Sequence, residues 1–238
     1  MENKQTQAEQ SVNKNTSFFS QNIDSYGNNV SKLDTYVNIR SSINDAIQGV
    51  DTALDVGNGG VFDYDVTLVR QIIALDLFLE DLPRDTFPKN AIPRNGSALE
   101  IPEADKSFNA VIMVMLLHHL VGNTVKGSLA NVDLALREGF RVLEPGGKLV
   151  LVESCIPSWF YGFERFIFPV ASWIIDKTIQ HPMTLQYPTK KIISMLEKHS
   201  TNIEVTKIPK GRWVLQYGFK YPSALTPINP YRFIAYKS

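Results

Sequence analysis

A few places in the 238-residue chain hold residue types and spacings suited to chemistry. The first is LDVGNGGVFDYD, Leu54 to Asp65, a glycine-rich turn directly after an apolar run. Such a turn lets backbone approach a ligand closely, and open α/β sheets bind their ligands at that place. The dinucleotide pattern G-x-G-x-x-G, begun at Gly57, requires glycine at position 62, where Phe62 stands, and Asp63 and Asp65 follow at once. Pyrophosphate needs backbone N–H donors and an uncluttered approach. Two carboxylates at the start of a helix repel it, yet they tolerate a ligand carrying a sulfonium or ammonium group. The Walker lysine is missing too, which argues against nucleoside triphosphates. The second place is the pair His118 and His119, and the third is Glu153, each closing an apolar run. Neutral imidazole takes a proton from an oxygen or nitrogen nucleophile near pH 7, and a carboxylate orients a substrate. A structural or cofactor-contact role stands beside that of general base for each histidine.

These residues need a scaffold that brings strand ends together. Short unbroken apolar runs, Ala53 to Val56, Gln71 to Leu75, Ala110 to Met115 and Lys148 to Val152, have the pattern of strands buried on both faces of a parallel sheet. The stretches between them are predicted to be helical. Lys126 to Val142 places Leu129, Val132, Leu136 and Phe140 on one face, as a crossover helix does, and closes on the turn Glu144-Pro145-Gly146-Gly147. A helix around Thr189 to His199 and strand-like runs at Ile203 to Ile208, Arg212 to Tyr217 and Arg232 to Tyr236 complete the chain. Ahead of the first strand, Phe18 to Gly49 has helical spacing broken near Gly27, which predicts two short helices. The fold class is therefore doubly wound α/β.

Composition narrows the function. A charge balance of 24 Lys and Arg against 24 Asp and Glu argues against a general nucleic-acid binder. The longest wholly apolar run, Ala110 to Leu117, falls well short of the roughly 20 residues that span a bilayer, so no transmembrane segment is expected. One cysteine, Cys155, forms no internal disulfide, and no Cys/His spacing suggests a metal site, which fits a reducing cytoplasm. Residues 1–17 are polar, without the apolar core of a signal peptide, and read as a disordered tail.

In this order and spacing, the motifs resemble those of the class I S-adenosylmethionine (SAM) dependent methyltransferases, from about Thr52 to Glu153. The family's acidic-x-Gly-x-Gly-x-Gly motif is matched by Asp55, Gly57 and Gly59, with Asn58 between them and Val61 where the third glycine usually stands. The acid that ends the family's second strand and holds both ribose hydroxyls is matched by Asp76 in IIALDLF, with Leu77 placed on the adenine face or in the core. GSALEIPEADKSFNAVIMVMLLHHL, Gly96 to Leu120, is similar to the stretch from the adenine-contacting loop through the fourth strand. Ser97 there replaces a frequent Asp, and the backbone of Ala98 and Leu99 compensates. Met113 and Val114 occupy cofactor-lining positions of the family and equally suit a core. REGFRVLEPGGKLVLVE, Arg137 to Glu153, looks like the helix, turn and fifth strand of the same fold.

The resemblance implies a seven-stranded, mainly parallel Rossmann-like sheet with helices on both faces. It also implies SAM as cofactor, S-adenosylhomocysteine (SAH) as product, and transfer of a methyl group to a small molecule. The acceptor pocket is expected from an N-terminal helical lid over 18–50 and an aromatic-rich insertion at about 157–187 of the methyltransferase domain, 51–238. Both are rich in aromatic residues, so the acceptor is expected to be flat or lipophilic, aromatic or quinone-like. Tyr26, Tyr36 and Arg40 are placed to close over the cofactor carboxylate. A SAM-binding protein of the same fold that catalyses a cyclisation or rearrangement, or nothing, remains the alternative. Monomer and homodimer are both open.

Overall fold

The computed structural model describes residues 34–162, 184–216 and 219–238. Its centre is a seven-stranded sheet of β1 (Thr52–Val56), β2 (Gln71–Asp76), β3 (Ala91–Asn95), β4 (Phe108–Val114), β5 (Leu143–Cys155), β6 (Ile203–Lys207) and β9 (Asn229–Tyr236), in the order β3-β2-β1-β4-β5-β9-β6. β1 to β5 run parallel, and β9 lies antiparallel between β5 and β6. A separate hairpin of β7 (Trp213–Gln216) and β8 (Phe219–Pro222) precedes β9.

Alternation along the central strands separates two cores. Leu54, Val56, Ile73, Leu75, Val111, Met113, Leu149 and Leu151 point to one face, beneath α2 (Val125–Val142) and α3 (Thr189–Leu196). Ala53, Ile72, Ala110, Ile112, Val150 and Val152 point to the other, where α1 (Asp34–Ile47) lays Ile39, Ile43 and Ile47 across them. Burial on both faces is why these strands read as unbroken apolar runs. Thr124 caps α2 by accepting from the Gly127 N–H at 3.0 Å. Strand order reverses between β1 and β4, which opens a crevice at the carboxyl ends of those strands.

Several expectations need correction. The connections from β1 to β2 and from β2 to β3 carry no α-helix, only the single 3-10 turns Val66–Leu68, Leu79–Asp81 and Arg84–Thr86. Fourteen-residue links containing Gly59, Gly60, Pro83 and Pro88 leave too little uninterrupted chain for one. The Glu144 to Gly147 turn is an irregularity inside β5: Phe108 pairs with Leu143 and Ala110 with Lys148, and Gly146 takes φ +78°. The helix read to His199 ends at Leu196, and β8 was not foreseen. In the N-terminal region, α1 forms the covering layer just described, while residues 1–33 lie outside the described residues, as do 163–183 of the insertion.

Candidate active site

The glycine turn is held by two carboxyls, Asp55 buried and Asp76 partly buried. Asp55 closes inward from β1, and its Oδ2 accepts from Asn58 Nδ2 at 2.6 Å and from the Tyr64 hydroxyl at 2.9 Å. Asn58 also spans its own loop, donating to the Val61 carbonyl at 2.9 Å and accepting from the Gly60 N–H at 3.0 Å. Asp76, at the end of β2, reaches across and accepts from the Gly59 N–H at 3.0 Å and from the Leu77 N–H at 2.7 Å. Gly57 takes φ +72°, and a Cβ there would stand 2.5 Å from Leu116 Cδ1, so the turn after β1 and the turn after β4 touch. Gly59 takes φ +62° with nothing within 4 Å of a notional Cβ. That open space lies where Asp76 and the exposed Leu77 meet the loop.

The carboxyls of this cradle are hard to ionise. Burial pushes the Asp55 carboxyl up to about 7, against the lowering effect of its bonds to Tyr64 and Asn58, with the charges of Asp63 and Asp76 raising it further. Burial likewise pushes Asp63 up to about 6, opposed by the positive charge of Arg40 from α1. Asp76 is raised by burial and held back by the Leu77 and Gly59 N–H groups. Carboxyls that are hard to ionise for lack of a compensating charge gain from a nearby cation. Asp65, by contrast, is exposed; it caps the 3-10 turn by accepting from Thr67 N at 3.0 Å, so it stands at no α-helix start.

The loop after β3 lies next to Asp76, whose carbonyl accepts from the Gly96 N–H at 2.9 Å. Ser97 Oγ accepts from the Leu99 N–H at 3.1 Å, and Ala98 packs against the core beneath α2. At the end of β4, Val114 is partly buried, whereas Met113 is wholly buried with its Cε close under Gly139 of α2. Met115, which sequence reading passed over, takes φ +52° and turns the chain into His118 and His119. Their rings lie 4.2 Å apart at 42°. Glu153 is fully buried: Oε2 accepts from the Leu117 N–H at 2.9 Å, and Oε1 accepts from the Ser154 N–H at 2.8 Å and meets His118 Nδ1 at 2.6 Å.

The structure thus brings Asp55, Gly57, Asn58, Gly59, Asp76, Leu77, Ser97, Ala98, Leu99, Val114, His118, His119 and Glu153 to one edge of the sheet, and sets Met113 beneath it in the core. Tyr26 lies outside the described residues. Tyr64 and Met115 were missed. The i, i+3 spacing of Asp55 and Asn58 is a signal of local pairing, but nothing local marks Tyr64.

Residues 54–151 match the family model described as a methyltransferase domain. Over that stretch the chain is similar to the class I SAM-dependent methyltransferases, the family that the match and the fold support. It is 27% identical over 204 residues to the demethylmenaquinone methyltransferase of Oceanobacillus iheyensis, covering 73% of this chain and 79% of that one. The namesake enzyme of Lactobacillus johnsonii is 27% identical over 161 residues, 61% of each chain, so this chain spans less than two thirds of that relative. Among solved structures, the methyltransferase in complex with the Trm112 activator of Haloferax volcanii superposes with a TM-score of 0.62 at 11% identity, covering 92% of this chain and 97% of that one, a likeness of fold. The cofactor of this domain class fits the cradle. A sulfonium and an ammonium suit the Asp55 and Asp63 carboxyls, and a ribose diol suits the two oxygens of Asp76. Among the described residues no cluster of three metal-ligating side chains exists, and no helix is long and apolar enough to cross a membrane.

Proposed function

We propose that this methyltransferase acts on a small acceptor, aromatic or quinone-like, in the cytoplasm. The observation that carries the reading is the set of carboxyls, Asp55 buried and Asp63 and Asp76 partly buried, around a glycine turn at the switch point of the sheet. SAM supplies an activated methyl group on a positively charged sulfur. The protein's part is to bind, orient and exclude water. Asp76 would hold the ribose, Leu77 and the Ser97 to Leu99 turn would border the adenine, and Gly57 to Gly59 would approach the amino-acid end. The relatives named demethylmenaquinone methyltransferase support a quinone-like acceptor.

The test is thermal unfolding with SAM, SAH, NAD and ATP in parallel, followed by transfer of labelled methyl to a panel of quinols and phenols. A ligand at 100 times its Kd stabilises by about 2.7 kcal/mol. Stabilisation by SAM and SAH alone, with label reaching a panel member, supports the reading. No stabilisation by either removes it. Binding without transfer to any acceptor would make the chain a SAM-binding protein with other chemistry.

A further inference from the structure

The seven-stranded sheet ends on two edges that are finished differently. On one side β3 carries Pro93 in mid-strand, which has no N–H to offer, and Arg94 is drawn off to Glu103 at 3.5 Å. Such an edge resists the addition of another strand. On the other side β6 reads Ile-Glu-Val-Thr-Lys, without proline or glycine, and pairs with β9 in unbroken register. Ile203, Val205 and Thr206 are strand-favouring residues, and Val205 is 40% exposed.

Which backbone groups this edge offers follows from its ladder. The Tyr236 N–H donates to the Asn202 carbonyl at 3.1 Å, and the Ile208 N–H donates to the Pro230 carbonyl at 2.9 Å. In an antiparallel pair, bonded positions alternate with unbonded ones. Asn202 and Ile208 flank β6 as bonded positions, so Glu204 and Thr206 are bonded to β9 as well. Ile203, Val205 and Lys207 therefore turn their N–H and C=O groups outward. Among the described residues, none of these outward groups has a partner.

One register of a second, antiparallel β6 fills them all. With Val205 opposite Val205 of the second copy, Ile203 stands opposite Lys207, and every outward N–H meets a C=O. A shift by two residues leaves outward groups unfilled on each copy, and a shift by one sets outward groups against inward ones. The same register matches the side chains. On the α1 face, Glu204 comes opposite Thr206 of the second copy, at an unbonded position, where side chains are closest. Thr206 Oγ1 accepts from Arg232 Nη2 at 3.4 Å, which leaves its hydroxyl hydrogen to donate. Glu204 Oε1 accepts from the Tyr236 hydroxyl at 3.1 Å, which leaves Oε2 to accept. A carboxylate thus faces a hydroxyl backed by a guanidinium, once on each side of a two-fold axis. On the opposite face the two Val205 side chains meet at that axis. There the stem of each Lys207 lies over Ile203, which itself packs against the core beneath α3.

We infer that β6 is a self-association edge, through which two copies of this chain join their sheets about a two-fold axis centred on Val205. The partner is a second copy because the strand complements itself both in charge and in backbone pairing, as a closed two-fold interface requires. The inference does not rest on the methyl-transfer reading. β1 to β5 of the two copies run in opposite directions across the junction, so the two crevices open on opposite edges of the joined sheet. Each site is complete without the other copy.

The experiment is sedimentation of the full chain from micromolar to millimolar concentration, with amide exchange on the same samples. A single pair of short strands makes a small interface, so a dimer with a micromolar Kd is expected. As it forms, the Ile203, Val205 and Lys207 amides should become slow to exchange, whereas those of Glu204 and Thr206, already bonded to β9, change little. V205P removes an outward N–H and no bond to β9, so it should abolish the dimer while the thermal midpoint stays near that of the wild type. E204K sets a cation against Arg232 of the second copy, and T206E sets carboxylates against each other; each alone should raise the Kd about tenfold or more. Mixed in equal amounts, the two variants bring opposite charges together and should form a heterodimer with an affinity near that of the wild type. The two charge variants decide the matter where V205P does not fold. A wild type that stays monomeric at millimolar concentration overturns the inference, as does a dimer in which the three outward amides exchange as fast as in the monomer. A dimer that the variants leave intact uses another surface and overturns it too, and so does a mixture that forms no heterodimer.

Discussion

The two halves of the sheet hold their site residues by different means. On the β4–β5 side, the turn carrying His118 is braced by regular packing: α2 lies over β4 and β5, and Val132, Leu136 and Phe140 sit in the core. On the β1–β2–β3 side the connections have no α-helix, and individual polar side chains take over. Asp55, Asn58 and Tyr64 tie one loop, Asp76 joins that loop to β2, and Asn90 Nδ2 donates to the Val66 and Val69 carbonyls at 2.8 Å each. A helix spreads its stabilisation over many apolar contacts, so that single changes are absorbed. A loop tied by buried carboxyls depends on a few bonds and on their charge state. The cofactor half is therefore the half that substitution and pH should disturb most.

The largest effect expected is on pH dependence. Asp55 titrates near 7 in the fold and near 3.9 when unfolded. Between those values the folded chain binds the extra proton, so stability is greatest below the unfolded value and falls as pH rises. Three units correspond to about 4 kcal/mol for Asp55, with Asp63 adding in the same direction below about 6. Urea midpoints of the ligand-free protein should drop from pH 4.5 to pH 7.5, and D55N should flatten the curve. SAM, carrying a cation, should release protons on binding near pH 6.5, seen as calorimetric heats that depend on the buffer. A midpoint that rises over this range would place the instability elsewhere.

Next in size is Asp76→Ala. Two charge-assisted hydrogen bonds at about 1.5–3 kcal/mol each exceed what neighbouring apolar contacts replace, so the Kd for SAH should rise about 100-fold or more. A change under fivefold would show that Asp76 serves the loop and not the ligand. Gly57→Ala and Gly59→Ala then separate geometry from crowding. Both impose a left-handed conformation costing about 1–2 kcal/mol, but only Gly57 also meets Leu116. Gly57→Ala should cost about 2 kcal/mol or more of folding stability by chemical denaturation, Gly59→Ala about 1. Leu116→Ala should reduce the difference between them if crowding is its source.

The same contrast explains what the sequence made legible. The central strands announced themselves because burial on both faces leaves no polar alternation, and α2 because one stripe of it faces the core. The site's positions at strand ends followed from those runs. The loops between β1, β2 and β3 did not read correctly, because a pattern of apolar residues such as Phe62, Val66, Leu68 and Val69 has nearly helical spacing but serves several small contacts instead. Whether Asp55 turned toward ligand or protein was also hidden, since its partner Tyr64 lies nine residues away and meets it only once the loop has folded. The pairing of His118 with Glu153 spans 35 residues and two strands, and spacing along the chain carries no trace of such a contact. Leu143 to Gly147 misled for a local reason: a Pro-Gly-Gly turn and a bulge within a strand ask for the same residues.

The smallest effect expected tests a side-chain fork that helps tie the two halves together. Arg141, near the end of α2, donates from Nη2 to the Ile101 carbonyl at 2.8 Å and from Nη1 to the Glu103 carbonyl at 2.9 Å and to Asp105 at 2.6 Å. Its pairing with Glu138 holds that carboxyl below its usual range and raises the guanidinium above its own. One planar fork thereby fastens the helix-free link between β3 and β4 to the helical layer. Lysine keeps the charge but not the fork. Arg141→Lys should cost only about 1 kcal/mol globally, yet amide exchange in the 96–105 stretch should quicken, with the core of α2 unaffected. The Kd for SAH should rise a few-fold, because that stretch includes Ser97 to Leu99. Uniform quickening across both halves would mean that Arg141 supports the whole domain, and the division drawn between them would fail.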